Sequence, residues 1–144
     1  MYSAKQVSRF IITYCYNKNH PVSNLKLQKI LYFSWVDFYK ETHEILFNDE
    51  ICAWQLGPVV PEVYYEYCSY GGRAICESYN NDIDTKNSQI LSEIIDRYIY
   101  KLASSLVDMT HRPGTPWSEI YCDGIGNRDT IPFELIISRE CTDN

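Results

Sequence analysis

The stretch from Asn24 to Lys40 constrains this chain more than any other. At 3.6 residues per turn, Leu27, Ile30, Leu31, Ser34, Trp35 and Phe38 fall on one stripe, while Leu25, Tyr32, Val36 and Tyr39 fall on a second. A helix apolar on one side lies on a surface, but one apolar most of the way round must be covered from several directions. The spacing therefore predicts a central buried helix with the other elements packed round it. Pro21 ends what precedes, and Ser23 is placed to cap the helix by accepting a backbone N–H bond.

The 144 residues fit one domain with one core. Apolar residues make up 45% and aromatic ones 15%, enough to fill that core without disulfide or metal support. A helix with a capping box, Ser3 with Gln6, is expected from Ala4 to Asn17. The short turn after it makes the first two helices neighbours. Ile45–Phe47 and Ile51–Leu56 read as a β-hairpin about Asn48-Asp49-Glu50. Pro61 and Glu62 suit the first turn of a helix running to Ser69, stopped by Gly71-Gly72. Residues 73–86 read as a mobile loop. Asn87 or Ser88 should cap a helix reaching Leu102, and Ser104 or Ser105 should start a shorter one to His111. A further turn is expected over Trp117–Tyr121 and a last helix over Ile131–Ile137. The expected class is mainly α, a compact helical domain round a buried helix with a small hairpin, in one unit over residues 1–144.

The formal net charge is −6, and the basic residues are scattered. A sequence-independent nucleic-acid binder needs a surplus of Lys and Arg, so nucleic acid is disfavoured as a partner, and a DNA-binding repressor with it. No run approaches a membrane span, and no secretory signal is evident at the N-terminus, so a cytoplasmic protein is expected. The six cysteines lack C-x-x-C spacing and stand apart from His20, His43 and His111, which predicts free thiols and no metal or cofactor.

Asp108 and His111 share a helix face and could serve as a base with its orienting carboxylate. No nucleophile motif or oxyanion loop accompanies them, so His111 reads as a helix-end residue, its imidazolium facing the carbonyl end, rather than as a hydrolase base. Gln28 reads as the partner of a nearby backbone group. Two proline-stiffened loops, Trp54–Tyr64 and Arg112–Trp117, each carry a tryptophan, and stiff loops lose less entropy on binding. The tyrosines Tyr64, Tyr65, Tyr67 and Tyr70 are too dense for core alone, so alternate members should face outwards, where tyrosine favours protein interfaces. The candidate protein-binding residues are Trp54, Gly57, Pro58, Val59, Pro61, Tyr64, Tyr65, Tyr67, Tyr70, His111 and Trp117.

Three segments carry a resemblance: Asn24 to Phe33; Ala53-Trp54-Gln55-Leu56-Gly57-Pro58-Val59-Val60-Pro61-Glu62-Val63-Tyr64; and Leu106 with Thr110-His111 and Gly114-Thr115-Pro116-Trp117. In order and spacing they resemble the Panacea domain, the SocA/GepA-like family of bacteria and phages. The resemblance covers nearly the whole chain and implies a mostly helical domain with a small β element. It implies a non-enzymatic antitoxin that binds its cognate protein toxin directly, a toxin encoded beside it. A proteolytic adaptor and a regulator are the alternatives the resemblance leaves open.

Overall fold

The computed structural model describes residues 1–142. Helix α1 spans Ala4–Asn17 and α2 spans Asn24–Thr42. Strands β1 (Cys52–Trp54) and β2 (Gly57–Val59) form an antiparallel pair. Then come α3 (Pro61–Tyr67), a 3-10 turn over Cys68–Tyr70, α4 (Thr85–Asp96), α5 (Ala103–His111), α6 (Pro116–Tyr121) and α7 (Phe133–Glu140). The fold is mainly α with a small hairpin, as the sequence predicts.

Helix α2 is the hub: α1, α3, α4, α5, α7 and β2 all lie against it. Its residues from Leu27 to Phe38 are buried without interruption, as an all-round apolar helix requires. Ser23 caps it by accepting from the Lys26 N–H, and the Ser3–Gln6 capping box of α1 closes in both directions.

The hairpin differs from expectation. Its turn falls at Gln55-Leu56, and the Gly57-Pro58 segment is itself a strand, with Ala53 opposite Pro58. Ala53 gives both its backbone groups to the other side, donating to the Asp129 carbonyl at 2.8 Å and accepting from the Arg128 N–H at 2.6 Å. Pro58 therefore occupies a position where the ladder needs no N–H, so proline is tolerated there. The Ile45–Phe47 stretch belongs elsewhere. The Leu46 carbonyl accepts from the Tyr2 N–H, and the Phe47 carbonyl accepts from the Trp35 indole at 3.0 Å.

Other boundaries move for local reasons. Helix α4 starts at Thr85 because Asp84 caps it, accepting from the Asn87 N–H at 2.9 Å. It ends at Asp96, not Leu102. There the Tyr98 hydroxyl donates to Asp37 at 2.5 Å, and the Lys26 ammonium takes the Ile99 carbonyl. Leu102 rather than a serine precedes α5, and Pro132 sets the start of α7 two residues late. Residues 73–83 are irregular but fastened. Ile75 is buried and donates to the Val22 carbonyl at 2.8 Å, and the Tyr79 N–H donates to Thr13 at 2.9 Å.

Candidate functional site

The three sequence segments singled out above meet in one place. From α2, Lys29 is fully buried, and its Nζ donates to the Pro58 carbonyl oxygen at 2.8 Å. One residue earlier, Gln28 accepts the Val60 N–H at 3.0 Å and donates to Asn24 at 3.1 Å. Asn24 in turn donates to the Tyr64 carbonyl at 3.1 Å. Gln28 thus partners a backbone group as its sequence position predicts, and the relay fixes β2 and α3 against α2.

Gly57 lets this approach happen. Its φ is +117°, and a Cβ there would stand 2.7 Å from Lys29 Cε and 2.8 Å from the Thr110 hydroxyl. Only glycine accepts both the dihedral and the contact. Burial drops the Lys29 pKa to about 7, with no carboxylate beside it among the described residues.

From the third segment, His111 ends α5 and stacks on Trp117, ring centres 3.7 Å apart and planes 2° from parallel. Trp117 is buried, and its indole N–H donates to the Trp54 carbonyl at 2.7 Å. The His111 imidazole is not the expected helix-end cation. Burial, with Lys29 adding to it, holds its pKa below the ordinary histidine value, and its Nε2 is buried with no hydrogen-bond partner among the described residues. Gly57, Pro58, Val59 and Trp117 are therefore interior residues that hold the hairpin, α2, α5 and α6 together.

The tyrosines divide. Tyr67 is 2% exposed, and its hydroxyl lies 3.0 Å from that of Tyr79. Tyr70, half-buried, donates to Glu77 at 2.5 Å. These two pin the 73–83 loop. Tyr65 is 57% exposed, while Tyr64 and Pro61 are half-buried. Tyr64 and Tyr65 cluster with Trp54: Trp54 lies 4.9 Å from Tyr64 and 6.0 Å from Tyr65, and the two tyrosines are 5.6 Å apart.

Trp54 and Tyr64 line a cleft of about 410 Å³ between the start of α2, the hairpin, α3 and the segment 127–128, and Tyr65 stands beside them outside its lining. Leu56, 52% exposed, lines it from the hairpin turn. The Arg128 guanidinium lies 4.4 Å from the centre of a Trp54 ring. Sequence reasoning missed Lys29, Thr110, Leu56 and Arg128. Lys29 and Thr110 matter only once Gly57 is placed beside them, and Arg128 is far from Trp54 in the chain. Among the described residues no helix is long and apolar enough to cross a membrane, and no cluster of side chains is suited to hold a metal ion.

The family described as Antitoxin SocA-like, Panacea domain, matches residues 27–118, from α2 through α6. The Antitoxin SocA of Caulobacter vibrioides (strain NA1000 / CB15N) is 31% identical over 130 residues, covering 81% of this chain and 69% of that protein. No solved structure matches. By the family match and by that identity, the chain belongs to the SocA-like antitoxin family, the Panacea-domain proteins.

Proposed function

We propose that this protein is an antitoxin that neutralises a protein toxin encoded beside it by binding the toxin directly, and that it does so through the cleft face carrying Trp54, Tyr64 and Tyr65. The observation that carries the reading is the Trp54–Tyr64–Tyr65 cluster, of which Trp54 and Tyr64 line a cleft and the exposed Tyr65 packs against both. Large aromatic side chains on a rigid frame bury much area on binding at low entropic cost, and such residues dominate interface energetics. The buried candidates, Gly57, Pro58, Val59, Tyr67 and Trp117, support this face from beneath, and Pro61 starts the helix that presents the tyrosines. Tyr70 lies at its far end.

In this reading the protein acts by occlusion and not as an enzyme, within the cytoplasm where its toxin is made. His111 wedges against Trp117 rather than working on a substrate. Nucleic acid is a poor fit to the face, whose cleft presents one guanidinium among the described residues where phosphate binding needs several cations. Co-expression with the adjacent toxin tests the proposal: growth is restored and a complex is recovered. Failure of both for the wild-type pair contradicts it.

A further inference from the structure

The cleft carries an electrostatic asymmetry that its aromatic rim does not explain. Among the described residues Arg128 is the one charged residue lining it, so those walls present a cation and no anion on a chain whose net charge is −6. Arg9, Arg97 and Arg139 are each paired with carboxylates, whereas Arg73 and Arg112, which do not line the cleft, have no carboxylate partner among the described residues. Among the described residues Arg128 has no such partner. Its only side-chain hydrogen bond is a long one, 3.4 Å, from Nη1 to the Tyr65 hydroxyl.

The backbone puts Arg128 there deliberately. Its φ is +71°, uncommon for a residue with a Cβ, and its N–H is anchored on the Ala53 carbonyl at 2.6 Å. The guanidinium is thereby carried back over Trp54. Contact with a ring face leaves most of the five N–H donors of the fork unused, and that fork matches a carboxylate in two-point geometry.

We propose that Arg128 receives the side-chain carboxylate of an Asp or Glu in an internal segment of the protein partner, with a neighbouring apolar side chain of that segment entering the cleft between Trp54 and Leu56. This rests on the toxin-binding reading above. A chain-terminal carboxylate is the poorer fit, because its capture needs a nest of free backbone N–H groups. Three of the nearby ones are engaged, Lys26 and Leu27 N–H on Ser23 and Val60 N–H on Gln28, which leaves too few beside Arg128 to enclose a chain end. A phosphate backbone would need further cations that the walls lack.

The experiment uses the purified toxin encoded next to the gene and full-length Arg128→Gln, Arg128→Lys and Arg128→Glu variants. Gln and Glu keep a Cβ at the same dihedral, and matched melting curves confirm the fold. Affinity should fall about tenfold or more for Gln and further for Glu, and the wild-type affinity should fall with salt more steeply than that of the Gln variant. Each Asp and Glu of the toxin is then changed to Lys. One of these changes should weaken binding to the wild type and restore binding to Arg128→Glu. If the wild type binds but the folded Arg128 variants bind equally well, or if no acidic position of the toxin restores Arg128→Glu, the carboxylate inference is overturned while the antitoxin reading stands. If the wild type does not bind, the antitoxin reading fails and the inference falls with it.

Discussion

Lys29 Nζ donates to the Pro58 carbonyl oxygen at 2.8 Å inside the protein, and no carboxylate shares the space among the described residues. A buried lysine of this kind joins the central helix to the Gly-Pro strand. It also makes the fold sensitive to pH.

Desolvation lowers the Lys29 pKa to about 7 in the folded chain against 10.5 for the free side chain. Between those values the unfolded chain holds a proton that the folded chain lacks, so stability rises with pH. Below about 7 both states are protonated and the penalty is complete. His111, also depressed, adds the same sign of dependence below its ordinary value of 6.5. Buried thiols act oppositely above about pH 9, since Cys15 is pushed up to about 12 and Cys141 to about 11. Urea melts should show stability increasing by about 1 to 2 kcal/mol from pH 7 to 8.5. Lys29→Met should flatten that rise. A profile that is flat or falling in the wild type would contradict the assignment.

Gly57→Ala should be among the most damaging single changes, costing about 3 kcal/mol or more. It combines a positive φ with a Cβ that would stand 2.7 Å from Lys29 Cε. Gly71→Ala is the matched control. Its φ of +58° carries only the dihedral penalty, with nothing near the new methyl group, so about 1 kcal/mol is expected. Chemical denaturation of the two variants decides the matter. Equal effects would show that the approach of Lys29 and Thr110 is unimportant.

The six cysteines are free, and their burial predicts two reaction classes. Cys68, Cys76 and Cys122 are exposed and should react at once with a chromogenic disulfide. Cys15 and Cys52 are buried and should react only when the chain is unfolded. All should be titrated after denaturation. Rapid labelling of Cys15 in the native protein would contradict the packing of α1 on α2.

His111→Asn should lower stability by about 1 to 2 kcal/mol, because it removes a stacked ring partly covered by Trp117. Toxin neutralisation should persist wherever the variant folds. A hydrolytic activity of the wild type that disappears in the folded variant would revive an enzymatic role.

Much of the architecture could be read from residues alone. The period of Asn24–Lys40, the Ser3–Gln6 box and the Pro61-Glu62 start each state a local preference that tertiary packing only reinforces. Gln28 was legible too, since an amide on an apolar helix must find a partner. The hairpin register was not, because Gly57 and Pro58 read as part of a proline-stiffened loop, whereas Pro58 sits where the ladder asks for no donor. The tyrosine run signalled an outward face without saying which members formed it: the turn from Tyr64 to Tyr67 buries Tyr67 and leaves Tyr65 in solvent. Lys29 and Arg128 left no signal, since their partners, Pro58 and Trp54, are distant in sequence.

The most direct test of toxin binding through the cleft face is calorimetry of the purified toxin with wild type and Tyr65→Ala. Tyr65 is exposed, so its truncation should leave the melting temperature near that of the wild type. Loss of an aromatic anchor of an interface typically costs about 2 kcal/mol or more, so the dissociation constant should rise by roughly thirty-fold or more. Trp54→Ala should weaken binding at least as much, with some loss of stability, since its ring meets Tyr64 and Arg128. A Tyr65→Ala variant that melts like the wild type and binds the toxin with unchanged affinity would contradict the account.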